Sequence, residues 1–187
     1  MIVKLPFPAT LADLMNVEGK AELIGGRIVE HTASGIIPGR VSRRIVRSLD
    51  DFTPRLGIGE AFGDNVGYAI DPPLTSGRQS FSPDASYHMG QLPANQMGFA
   101  EGGPTFAVEV RSENDYGPWA DREYAAKRAD YFEAGTLVVW DVDPVGQTVT
   151  KYDSANRTVG TTFRPGDTAD AEAAVPGWRL DVTALFA

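Results

Sequence analysis

Two carboxylates on predicted strands are the residues of this chain whose types and spacing could do chemistry. Asp84 opens the segment DASYH, and Glu109 lies 25 positions later inside the apolar run FAVEV. A strand that is buried on both faces has no ordinary place for a carboxylate. If the two strands are neighbours in one sheet, both side chains can point to one face and share a hard divalent cation such as Mg²⁺.

A lysine accompanies these acids on the next predicted element. After Glu109 the spacing becomes helical, and one stripe of the helix carries Tyr124, Lys127 and Tyr131. The ammonium of a lysine on a packing stripe can turn toward the strand that carries the acid. Burial there would shift the pKa of the lysine. The plainer interpretation is also open: Asp84 caps a turn, Glu109 faces water, and Lys127 packs its stem on the sheet with its amine in solvent.

Four arginines lie on one stripe of an earlier predicted helix, GRVSRRIVRSLDDF. Its apolar stripe consists of Val41, Ile45, Leu49 and Phe52, and the other stripe consists of Arg40, Arg43, Arg44 and Arg47. Such a stripe is either a solvated face or a ridge that contacts nucleic-acid phosphates. Because the formal net charge of the chain is -8, any phosphate-binding face must be local.

Composition excludes several other kinds of site. The chain has no cysteine and only two histidines, so thiolate chemistry and an HExxH zinc site are absent. It also lacks a GxSxG turn, a P-loop and a GxGxxG sequence after a strand. No apolar run approaches the roughly 18 residues of a membrane span. We therefore expect a cytoplasmic protein with no membrane partner.

The elements that must position these residues can be placed from periodicity and turn signals. We expect a short helix at 8–15, a hairpin around Gly25 and Gly26, a helix at 39–52 and a second hairpin at 57–70. Strands follow Asp84 and contain Glu109, and the central helix ends at Gly135. Three strands and a closing segment complete the chain. This order predicts one α/β or α+β domain, residues 1–187, with a central mixed β-sheet flanked by helices.

The ordered set SPDASYH, FAVEVRS and REYAAKRADYFEAGTLVVWDVDP resembles the PD-(D/E)XK, or restriction-endonuclease-like, superfamily. More specifically it resembles the Uma-type family of putative restriction endonucleases. AELIGGRIVEH and PGWRLDVTALF are similar to that family's opening and closing segments. The resemblance implies a restriction-endonuclease-like fold, a Mg²⁺- or Mn²⁺-dependent endonuclease activity and a nucleic-acid partner. It favours DNA as that partner and a homodimer as the assembly.

The resemblance also assigns roles to particular residues. It makes Asp84 and Glu109 the metal-binding carboxylates, with the backbone carbonyl of Val110 as a further ligand. It places Glu22 at an acidic position that reaches the same site from the side. These four residues would form the metal-holding part of the site.

The position of the family's lysine needs a choice between two residues. The superfamily pattern expects a lysine two residues after the glutamate, where this chain has Arg111, whereas Uma-type members resemble a pattern with the lysine on the next helix, here Lys127. A guanidinium is always protonated and cannot accept a proton from water, although Arg111 could stabilise transition-state charge. We therefore expect Lys127 to orient the phosphate or handle protons, with Arg111 in a supporting catalytic role.

The sequence is also compatible with two other classes of function. The acidic charge of the chain, and Glu113 and Asn114 where the family has proline and serine, favour an inactive nuclease-fold protein that binds or regulates. A two-carboxylate glycoside hydrolase is a weaker candidate, because it gives Lys127 no role.

Overall fold

The computed structural model describes residues 7–187. The strands are Ala21–Ile24 (β1), Arg27–Glu30 (β2), Glu60–Gly63 (β3), Tyr68–Ala69 (β4), Ser80–Phe81 (β5), Ala85–His88 (β6), Ala100–Glu101 (β7), Phe106–Val110 (β8), Val138–Asp143 (β9), Thr148–Asp153 (β10), Asn156–Phe163 (β11), Thr168–Asp170 (β12) and Arg179–Asp181 (β13). The helices are Leu11–Leu14 (α1), Ile36–Phe52 (α2), Pro118–Glu133 (α3) and Val182–Phe186 (α4), with a 3₁₀ helix at Thr53–Leu56.

A six-stranded mixed sheet forms the centre of the fold, in the order β11-β10-β9-β8-β6-β3. β8 runs parallel to β9 and antiparallel to β6, with Val108 opposite Ala85. The predicted central mixed sheet is therefore confirmed. The strand that follows Asp84 is also the neighbour of the strand that carries Glu109, which puts both acids at the same end of that pair.

Helices pack on both faces of the sheet. On one face α2 and α4 surround a buried aromatic group of Phe106, Trp140 and Trp178, in which the two tryptophan rings stack with centroids 5.0 Å apart. On the other face Tyr131 of α3 stacks on Phe81 at 4.1 Å. The mostly apolar sequences of β8 and β9 follow from this arrangement, because a strand covered on both sides buries nearly all of its side chains.

α3 is a polar helix that begins and ends at glycines. Gly117 precedes Pro118 at the first turn, and Gly135 follows the last turn with φ of +94°, a conformation that favours glycine. Only Ala120, Asp130, Tyr131 and Phe132 of this helix are buried. With so narrow an apolar face, polar contacts to the sheet take a large share in fixing the position of α3.

The predicted hairpin at 57–70 is wrong. β3 pairs with β6 in the central sheet, whereas β4 pairs with β5 and β7 in a separate three-stranded sheet. The expected turn does occur, with Asn65 at a φ of +72°. Beyond it, however, Tyr68 is drawn into the second core beside Phe81 instead of returning along β3. Strand β7 also lies in the segment 89–103, whose many Gly, Pro, Asn and Gln residues predict irregular structure.

In the part of the chain that the structure describes, no helix is long and apolar enough to cross a membrane.

Candidate active site

Asp84 sits where the β6–β8 ladder ends. Its backbone N–H donates to the carbonyl of Val108 at 3.0 Å, and its Oδ2 accepts the N–H of Val110 at 2.7 Å. Its Oδ1 accepts a hydrogen bond from Lys20 Nζ at 2.7 Å. Asp84 thus joins two strands and carries an ion pair, and Val110 approaches it through its N–H.

Glu109 is the only partly exposed residue of β8. Its Oε1 accepts the hydroxyl of Tyr131 at 2.6 Å and lies 2.9 Å from Lys127 Nζ. Burial raises the pKa of Glu109, and the attraction of Lys127 does not cancel that rise because Asp84 and Glu22 add to it. The charge of Glu109 is therefore incompletely compensated.

Glu22 is almost fully buried, at 2% exposure, and both of its oxygens are engaged. Oε1 accepts the N–H of Ser82 at 3.0 Å and lies 3.0 Å from Lys127 Nζ, while Oε2 lies 2.6 Å from Arg78 and 3.6 Å from His31. Burial works to raise the pKa of Glu22, but the attraction of Lys127, the hydrogen bond with His31 and the attraction of Arg78 outweigh it and hold the pKa well below its usual range. Glu22 is consequently an anchor for Lys127 and Arg78.

Lys127 lies between Glu22 and Glu109. Burial works to lower the pKa of Lys127, but the two carboxylates outweigh it and raise the pKa above its ordinary value. Lys127 is therefore an ammonium at neutral pH, held at about 3 Å from each carboxylate. The predicted stripe of α3 does face the acid-bearing strand, as Tyr131 donates to the same glutamate.

Lys20 is a further cation beside Asp84, and the sequence patterns did not predict it. Its Nζ lies 2.7 Å from both Asp84 Oδ1 and Asp64 Oδ1. Burial works to lower its pKa, but Asp84, Glu109 and Asp64 outweigh it and raise the pKa above the ordinary value. A signal was present, since Lys20 stands two positions before Glu22 and the period of a strand is two.

Asp84, Glu109, Lys127 and Glu22 line one open cleft of about 360 Å³. Five carboxylates line it against three permanent cations, which leaves an excess of two negative charges. The cations are Lys20, Arg78 and Lys127, and the carboxylates are Glu22, Asp84, Glu109, Asp115 and Glu123. A dication would balance that charge.

The guanidinium of Arg111 lies outside the lining of this cleft. It forms a paired contact with Asp141 at 2.9 and 2.8 Å, and lies 2.8 Å from Asp121. It also stacks over the ring of Tyr124 at 4.8 Å. Strand β8 ends before Arg111, so its side chain is free to turn to the acid on β9. Arg111 therefore ties β8, β9 and α3 together, and its donors are engaged by carboxylates.

The four arginines of α2 have different surroundings. Arg43 lines a depression of about 270 Å³ that also contains Asp84 and Val110. Arg44 donates to the carbonyl of Leu185 at 2.8 Å and so holds α4. The remaining two, Arg40 and Arg47, are exposed. Of the predicted phosphate ridge, only Arg43 lies directly beside the candidate site.

Comparison with known proteins supports the same interpretation from an independent direction. The model of the Uma2 family, described as "Putative restriction endonuclease", matches residues 8–183. The chain belongs to the Uma2 family. The crystal structure of a putative nuclease belonging to DUF820 from Anabaena variabilis ATCC 29413 is similar in fold, with a TM-score of 0.74 and 19% identity over 96% of this chain and 98% of that one. No curated protein matches the chain.

Membership of the Uma2 family and the shared fold support a nuclease. The donor atoms of the cleft can also be compared with those that a metal ion requires. Asp84 and Glu109 offer only oxygen, which suits a hard cation. Among residues 7–187 no group of three or more Asp, Glu, His or Cys is placed to hold a metal. Mg²⁺ commonly uses one or two carboxylates and keeps several waters, so two carboxylates fit it once Lys20 leaves Asp84.

Proposed function

We propose that this chain is a divalent-cation-dependent endonuclease that hydrolyses phosphodiester bonds in nucleic acid, with DNA as the favoured substrate. One observation carries the proposal: Asp84, Glu109 and Lys127, which lie far apart in the sequence, line the same open cleft. Family membership supports it further. The proposed assembly is a homodimer.

The residues divide into holding and positioning groups. Asp84 and Glu109, with the carbonyl of Val110, would hold Mg²⁺ or Mn²⁺. Bound there, the cation supplies polarisation of a phosphate oxygen and a lower pKa for an attacking water. Glu22 positions Lys127, since both of its own oxygens are engaged by protein donors.

Lys127 acts first as a charged donor. Its pKa is raised, so its ammonium can donate a hydrogen bond to a phosphate oxygen and offset developing charge. Compensation of the charge on Glu109 by a bound dication would weaken the hold of that carboxylate on Lys127 and lower the pKa of its amine. Arg43, next to Asp84, is placed to contact a neighbouring phosphate.

The substitution Asp84→Asn tests this proposal. It keeps the carbonyl that accepts the N–H of Val110 but removes the charge, so the strand pair should survive. We expect Mg²⁺- or Mn²⁺-dependent cleavage of DNA or RNA to fall by more than about 100-fold, beyond the loss typical of outer-shell partners. Asp170→Asn is the matched control, because Asp170 also pairs with a lysine but does not line the cleft. Wild-type protein without metal-dependent cleavage would refute the catalytic proposal.

A second candidate function is a nuclease-fold protein that binds or regulates without catalysis. The contact between Lys20 and Asp84 favours it, because a protein cation already compensates that carboxylate. Calorimetry separates the two. Mg²⁺ or Mn²⁺ binding that is lost in Glu109→Gln supports the nuclease, whereas wild-type protein that binds neither cation supports the binding protein.

A further inference from the structure

Trp119 differs from the other two tryptophans of the chain. Trp140 and Trp178 are buried, at 0% and 1% exposure, whereas Trp119 is 67% exposed. Within residues 7–187 no aromatic ring stacks on Trp119 and no cation lies over it. Large aromatic side chains usually bury much of their area, so an open indole face next to a cleft offers a surface on which a ligand can pack.

The position of this indole is set by the helix that also carries Lys127. Trp119 lines the cleft together with Glu109 and Lys127. It stands in the first turn of α3, after Gly117 and Pro118, on regular backbone. Eight residues separate it from Lys127, which is about 12 Å along the helix. A stacked strand, rising about 3.4 Å per nucleotide, covers that distance in three to four steps, and an extended strand in fewer.

The charge of the cleft limits what phosphate contacts can contribute. Its lining carries two more carboxylates than permanent cations. The lining of this cleft therefore contributes little through counterion release, the usual source of affinity for nucleic acid. Stacking of a base on an aromatic ring is insensitive to the charge of the lining and needs only an open ring face.

We propose that Trp119 is a stacking platform for an unpaired nucleobase, so that single-stranded nucleic acid is the preferred ligand of this cleft. The inference rests on the proposed nuclease function and deepens it by naming the substrate class. A paired base inside a duplex is stacked on both sides and so offers no free face to a side chain. A single strand, or an unpaired stretch of a duplex, exposes bases that can lie on the indole.

Binding can be measured separately from cleavage, with Asp84→Asn protein and EDTA. The probe is a labelled oligothymidylate of about twelve nucleotides, within the range of single-strand site sizes, followed by fluorescence anisotropy. We expect Trp119→Ala to weaken binding by about 5-fold to 150-fold and Trp119→Phe to retain most of it. Val159→Ala is the matched control, because Val159 is equally exposed, at 67%, on β11 and outside the cleft.

Intrinsic fluorescence supplies a second readout. Because the other two tryptophans are buried, quenching of exposed indole by the oligonucleotide reports on Trp119. Quenching should disappear in Trp119→Phe while the affinity of that variant holds. An oligouridylate of the same length shows whether RNA or DNA supplies the base. The loss of affinity in Trp119→Ala must appear with the oligonucleotide that binds more tightly.

Two outcomes would overturn this inference. One is an equal loss of affinity for a blunt duplex in Trp119→Ala, and the other is unchanged single-strand affinity in that variant. Unchanged affinity together with a changed oligomeric state would assign the indole to a second copy of the chain. If wild-type protein binds and quenches as expected but cuts nothing, the nuclease proposal fails and the stacking site stands.

Discussion

Replacing Lys20 with methionine removes the cation that forms an ion pair with Asp84. The ammonium lies 2.7 Å from Asp84 Oδ1, and the two side chains are 16% and 15% exposed. A dication that binds through Asp84 must displace this contact. We therefore expect Lys20→Met to bind Mg²⁺ and Mn²⁺ more tightly than wild-type protein.

The magnitude follows from the geometry of the ion pair. At 2.7 Å and an effective dielectric constant of about 20, the Coulomb attraction is roughly 6 kcal/mol before desolvation is counted. Hydrogen bonds between charged groups retain a net stabilisation of about 1.5–3 kcal/mol. If displacement of Lys20 costs that much, its removal should lower the dissociation constant of the metal by about 10-fold to 150-fold.

Titration calorimetry measures the affinity, and thermal unfolding with and without metal measures it again by linkage. Without metal, Lys20→Met should unfold at a lower temperature than wild type, because Asp84 and Asp64 lose their partner. Added metal should then raise that temperature by more than it does in wild type. Lys151→Met is the matched control, since Lys151 lies 2.8 Å from Asp170 with 14% exposure and does not line the cleft.

Equal or weaker metal binding by Lys20→Met would refute this reasoning. It would mean that the metal does not use Asp84, or that Lys20 and the metal occupy the site together. A tighter affinity in Lys151→Met as well would point to overall charge in place of direct competition.

Two further predictions concern stability and phosphate contacts. Glu22→Gln should lower the free energy of unfolding in urea by about 1.5–3 kcal/mol, because Arg78 and Lys127 each lose one of two carboxylate partners in a buried place. Arg78 keeps Asp130, and Lys127 keeps Glu109. The pKa of Glu22 is depressed in the folded state, so its stabilisation is full above its ordinary pKa of 4.5 and fades as pH falls; the variant should lose less stability on acidification. Arg43→Ala should reduce the salt slope of nucleic-acid binding by about one, whereas Arg44→Ala should leave that slope unchanged and lower thermal stability.

Local sequence patterns correctly predicted the strand and helix that carry Glu109 and Lys127. An acid inside an apolar run and a lysine on an aromatic stripe are both departures from simple core patterning, and departures of this kind occur where function overrides packing. Glu109 and Lys127 do contact each other in the structure. The adjacency of β6 and β8 was a condition of that prediction, and the sheet satisfies it.

Pairing between distant segments could not be predicted in the same way. Arg78 reaches Glu22 across 56 positions from a polar turn whose sequence has no periodicity. The direction of Arg111 was equally open, because a long side chain just after a strand can turn to either neighbour. The error at 57–70 has a similar cause, since a turn signal fixes where the chain bends and not which strand it joins afterwards.

The contrast between Glu22 and Glu109 indicates which carboxylate would attract a bound cation more strongly. Both carboxylates share Lys127, yet the pKa of Glu22 falls well below its usual range and the pKa of Glu109 rises. Glu22 also contacts Arg78, His31 and the N–H of Ser82. Glu109 adds the hydroxyl of Tyr131 and the more distant attraction of Lys20. Glu109 is thus the carboxylate whose charge the protein compensates less completely. A dication beside it would gain attraction that Glu22 no longer offers, so metal affinity should depend more on Glu109 than on its fully compensated neighbour.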